Sequence, residues 1–142
     1  MSNALAYALL ALIFLGLIAY VSITRLQRRE KFMPVEEKAY VHIKWHEVEA
    51  MAKRGGSANL KQAVIEADKL VDHTLKHMGV AGDTMGDRLR TAHARFTDYD
   101  GLWKAHKTRN QIVHETRKDL LSFEAKQSID RFRRALTDLG VL

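Results

Sequence analysis

The sequence predicts an all-α protein, with one N-terminal transmembrane helix followed by a compact bundle of about five helices. Three observations carry this. The chain has one proline and eight glycines in 142 residues, too few turn residues for a many-stranded sandwich. Its apolar residues recur at three- and four-residue steps over segments of helix length. An aromatic content of 8% on that regular spacing excludes a disordered chain, and the length allows one domain rather than two. The absence of cysteine removes disulfide frameworks, thiol nucleophiles and Cys-ligated zinc or iron–sulfur centres. Chemistry is left to His, Asp, Glu, Arg and hydroxyls.

The first element is the uncharged run at residues 4–23, ALAYALLALIFLGLIAYVSI. As a helix it covers roughly 30 Å, a bilayer core, with Tyr7 and Tyr20 near its ends. A cleaved signal peptide is the rival, but no Lys or Arg precedes the run and it exceeds a usual signal core. Arg25, Arg28, Arg29 and Lys31 crowd its C-terminal flank, so the positive-inside rule predicts a single-pass inner-membrane protein with its N-terminus outside and a cytoplasmic body. Residues 1–33 form the anchor and basic linker, and 34–142 the helical domain. Every charged side chain lies after residue 24, so the formal net charge of +6 belongs to the remaining chain. Clustered, it suits anionic lipid or nucleic acid.

Pro34 is placed to begin a helix from Val35 to about Arg54, with Ala39, Ile43, Val48 and Ala50 as a broken apolar stripe beside Tyr40 and Trp45. Gly55-Gly56-Ser57 stops it. A second helix, about Ala58 to Met78, has the clearest amphipathic spacing, in Leu60, Val64, Ala67, Val71, Leu75 and Met78, and Gly79 ends it. Residues 82–87 form a capped turn into a short helix, about Met85 to Phe96. Asp98 to Gly101 is a break, Leu102 to about Glu115 is helical again, and Ser122 to Leu139 closes the bundle with Phe123, Ile129, Phe132, Leu136 and Leu139. No internal repeat and no glycine-rich phosphate loop is present, which excludes nucleotide-loop enzymes.

The helix from Leu102 is the informative one. On a wheel with Leu102 at 0°, Ala105, Ile112 and Val113 centre an apolar arc at about 330°, and Arg109 falls inside it at about 340°. A permanent cation with five donors is rarely buried without a carboxylate, a phosphate or a wet cleft to meet it. His106, Asn110 and His114 climb the adjoining edge at four-residue steps.

These residues resemble a known family. Arg109-Asn110-x-x-x-His114 is similar to the motif of the HEPN superfamily (higher eukaryotes and prokaryotes nucleotide-binding), an Arg followed by a polar residue with a His four to six positions on. Glu115 supplies the His-Glu pair frequent in such sequences. The resemblance covers 35–142, although only these few positions are specific. It implies metal-independent RNA cleavage, in which the 2′-hydroxyl attacks the adjacent phosphate. The residue types suit that chemistry: His114 can move a proton, Arg109 can hold the phosphorane charge and Asn110 can orient either. Arg109 and His114 lie about 140° apart around the axis, so one helix makes an incomplete site. Pairing two copies through the 102–115 helix would complete it, as in family members whose motifs face each other, which points to a homodimer. His106, Lys104, Lys107 and Arg117, with Arg131, Arg133 and Arg134 on the last helix, would carry the RNA backbone. No cofactor and no metal is called for.

Many members of that superfamily are binding or scaffold modules. Under that reading the chain is a tethered interaction module with an unknown protein partner. Arg109 then pairs inside the bundle with Asp68 or Asp72, with Glu115 as further support. The pairs His42/His46 and His73/His77 have the spacing at which two imidazoles share a metal, but neither has a third ligand nearby in sequence, so surface histidines are expected. Asp98-Tyr99-Asp100-Gly101 lacks the remaining ligands of a calcium loop and reads as a turn. Trp45 and Trp103 can stack bases, but their apolar settings favour packing.

Overall fold

A computed structural model describes residues 2–27, 33–114 and 121–142; in the first segment side chains are described at Tyr7 and at residues 10–21. Glu115 and Arg117 lie outside the described residues, as do Arg28, Arg29 and Lys31. The chain forms two compact units, residues 1–30 and residues 31–142. Every regular element among the described residues is helical: α1 Ser2–Gln27, α2 Val35–Arg54, α3 Ser57–His77, α4 Met85–Thr91, a 3-10 turn His93–Arg95, α5 Tyr99–Val113 and α6 Ser122–Asp138.

The N-terminal unit corrects one expectation. Among the described residues no helix is long and apolar enough to cross a membrane. The anchor expected over residues 4–23 is overturned on that finding. With it goes the placement of the chain as a single-pass inner-membrane protein with a cytoplasmic body.

The second unit is a helical bundle organised on α3, which packs against α2, α5, α6 and α4, while α5 also packs against α6. The sequence explains this role. Leu60, Ala63, Val64, Ala67, Leu70, Val71, Thr74 and Leu75 are all buried, so α3 is covered on more than one side and suits a central position. From α6 come Phe132 and Leu136, fully buried, and from α5 Leu102 and Ala105. Each large apolar side chain taken out of water this way stabilises the bundle by about 1.5–3 kcal/mol.

Several details differ from expectation. The buried stripe of α2 is Val41, Trp45 and Val48, and Ile43 is 62% exposed. Pro34 is the residue before α2, extended at ψ 152°, and its carbonyl accepts the first bond from Lys38 N–H. The third expected helix stops at Thr91 and continues as the 3-10 turn. Asp98 to Gly101 forms the start of α5: the Asp98 side chain accepts from the Gly101 N–H at 2.9 Å. A Cβ at Gly101 would collide with that carboxylate, so glycine is what lets the cap close.

Candidate functional site

The site begins with a polar residue on the apolar side of α3. Asp68 is 2% exposed, and a carboxylate so placed needs partners. Helix α5, packed against α3, supplies them one turn apart. His106 Nδ1 lies 2.8 Å from Asp68 Oδ1, and Arg109 Nε lies 3.1 Å from Asp68 Oδ2. The chain of contacts continues along α5: Arg109 Nη1 donates to Asn110 Oδ1 at 2.9 Å, and Asn110 Nδ2 lies 3.2 Å from His106 Nε2. Four side chains thus form a closed ring of polar contacts.

Two features of the ring matter chemically. Burial pushes the Asp68 carboxyl above its usual range, against the opposing pull of the His106 hydrogen bond and the charges of His106 and Arg109. Arg109 Nε is near enough to Asp68 for an ion pair, yet its buried N–H has no hydrogen-bond partner. The pair is therefore coulombic, with a donor left over.

The ring opens onto a cleft of about 410 Å³ lined by Asp68, Lys69, Asp72, Thr84, Met85, Gly86, His106, Arg109 and Asn110. The capping box of α4 builds its rim. Thr84 Oγ1 accepts from Asp87 N–H, the Asp87 carboxylate takes the Thr84 N–H in return, and the carboxyl of Asp87 is held down to about 2 by Thr84 and then Arg90. Asp72, the alternative partner expected for Arg109, is engaged elsewhere. The buried Arg88 donates Nε to it at 2.8 Å and reaches the Gly82 carbonyl with Nη1, and Lys76 sits 2.7 Å from its other oxygen.

Of the expected site residues, Asp68, His106, Arg109 and Asn110 come together. His114 does not join them. It is the exposed residue that caps the C-terminus of α5, its N–H bonded to the Asn110 carbonyl, and it is not among the residues lining the cleft. Lys104 and Lys107 are exposed and also lie off that lining. Arg133 and Arg134 face carboxylates, Glu49 for the first and Asp98 and Asp130 for the second. Trp45 is 3% exposed with its indole N–H on Glu49, which removes it as a stacking platform. Trp103 is half-buried, 5.9 Å from the His106 ring and 5.6 Å from the Arg90 guanidinium.

The tie between His106 and Asp68 is the feature that sequence reasoning missed. A signal was available: His106 falls at about 40° on the wheel, beside the apolar arc. A second constellation also appears. Glu37 of α2 meets His73 and His77 of α3, and the ligand atoms of all three lie within 4.8 Å of one another.

No family model, curated protein or solved structure matches the chain. What the site does is therefore argued from its own geometry.

Proposed function

We propose that the chain is a HEPN-like module that binds RNA and cleaves it without a metal ion, at a site completed when two copies face each other across α5. One observation carries the reading: Arg109 stands on the wall of a cleft beside a buried carboxylate, a quarter of its side chain exposed and a side-chain amide in contact. A phosphate is the ligand that such a guanidinium, held by Asp68 and neighboured by Asn110, is suited to receive. Asp68 and His106 act as positioning residues, fixing Arg109 and Asn110 on the helix. His114, exposed at the helix end, is free to face a second copy, where it would exchange protons with the attacking 2′-hydroxyl or the departing 5′-oxygen. Arg109 would stabilise charge on the phosphorane.

A second reading rests on its own observation. Both Asp68 oxygens and both ring nitrogens of His106 are used within the ring, as expected of a buried polar network that specifies packing in a non-catalytic interaction module. Incubating the purified full chain with single-stranded RNA in EDTA separates the two. The ribonuclease reading predicts cutting that His114→Ala reduces at least a hundredfold with the circular dichroism spectrum unchanged. Absence of cutting at any protein concentration, or full cutting by His114→Ala, contradicts it.

A further inference from the structure

We infer that Glu37, His73 and His77 form a binding site for a zinc-class divalent ion, separate from the Asp68 ring and independent of the RNA reading. His73 and His77 are one helical turn apart on α3, with ring centroids 4.2 Å apart. Spacing of this kind is common on solvated helices and by itself makes no site. The fold adds the third group, from a different helix: Glu37 Oε2 lies 3.0 Å from His73 Nε2, and Glu37 Oε1 lies 3.7 Å from His77 Nδ1. In a tetrahedral zinc centre with metal–ligand distances of about 2.0–2.2 Å, neighbouring ligand atoms stand roughly 3.3–3.5 Å apart. One ligand atom from each of the three side chains lies within 4.8 Å of the other two, so side-chain rotations that close these gaps bring the three onto one ion.

The chemistry of the set selects the ion. Two imidazoles and one carboxylate suit zinc and its neighbours, whereas magnesium and calcium prefer oxygen ligands. Three protein ligands leave a fourth position for water, the composition of an open rather than a closed zinc site. All three side chains are 30–40% exposed, which gives an ion access. His73 also lines a second cleft of about 410 Å³ between α2 and α3, with Tyr40, Lys44, Glu47, Glu66 and Lys69 on its walls, so the site adjoins a pocket large enough for a small ligand. Bound metal would pin the first turn of α2 to the last turns of α3.

The test is calorimetric titration of the untagged, chelator-stripped full chain with Zn²⁺, repeated in excess Mg²⁺. The expected result is one Zn²⁺ per chain, undisturbed by Mg²⁺, weakened at least tenfold in His77→Ala and in Glu37→Gln, and unchanged in the double variant His42→Ala/His46→Ala, which removes the other four-residue histidine pair. Melting curves of metal-free His77→Ala and the parent should nearly coincide, showing that lost binding is not lost folding. No saturable uptake, or uptake that survives both His77→Ala and Glu37→Gln, overturns the assignment.

Discussion

Two histidine–carboxylate clusters are built on the same helix and differ in what surrounds the carboxylate. In one, α3 supplies Asp68 from its buried side, and α5 must bring His106 and Arg109 to it. In the other, α3 supplies the histidines and α2 the carboxylate, and Glu37 and His73 are about 30% exposed. The buried cluster is obligatory, because an unpartnered carboxylate or guanidinium there is left out of water. The exposed one is optional, because water can replace each contact, and a surface ion pair contributes 0–1 kcal/mol. A cluster the fold does not need is the one with coordination capacity to spare.

The comparison is broken first by deleting the buried carboxylate. Asp68→Ala leaves His106 Nδ1 and Arg109 without their partner, and we expect a loss of about 3 kcal/mol, the lower end of the range for breaking a buried pair because the Arg109 side chain is 25% exposed. Chemical denaturation measures it, and a melting point lower by roughly 10 °C accompanies it. A loss under about 1 kcal/mol would place Asp68 on the same footing as Glu37.

A smaller effect sharpens the contrast through pH. The carboxyl of Asp68 is raised in the fold, chiefly by burial, so it is stabilising while protonated. Its contribution is complete below the ordinary value of 3.8 and is lost as pH rises through the raised one. Asp87, lowered to about 2 by Thr84 and Arg90, runs the other way: its contribution is present above 3.8 and is lost as pH falls toward 2. Stability-versus-pH profiles of the parent, Asp68→Asn and Asp87→Asn separate the two. The difference between parent and Asp68→Asn should decline with rising pH and that for Asp87→Asn should increase; slopes of the same sign would contradict the assignment.

Much of the bundle was legible because its helices carry their own stops. Gly55-Gly56, Gly79 and Gly140 each take positive φ at a helix end, and no tertiary contact is needed to read them. Arg109 was legible as a cation on an apolar arc. What it would meet was not, since the choice between Asp68 and Asp72 depends on Arg88, an ordinary surface-type residue that packing buries at 5% exposure to claim Asp72. Glu37 was invisible for a related reason: it sits 36 positions from His73 and meets it only across the α2–α3 packing. In α2 the apolar residues fit more than one face, so Ile43 was assigned inward although it is 62% exposed; Phe123, at the start of α6, is likewise 64% exposed. A wheel ranks faces but does not say which neighbour covers them.

The central claim is that Arg109 is held by Asp68 for a phosphate and not only for the fold. RNA cleavage in EDTA and thermal melting, measured side by side on Arg109→Ala, test it most directly. We expect cutting to fall at least a hundredfold while the variant still unfolds cooperatively, its melting temperature lowered by no more than the roughly 10 °C expected for Asp68→Ala. Undiminished cutting, or a collapse of the fold beside a parent protein that never cuts RNA, would contradict it.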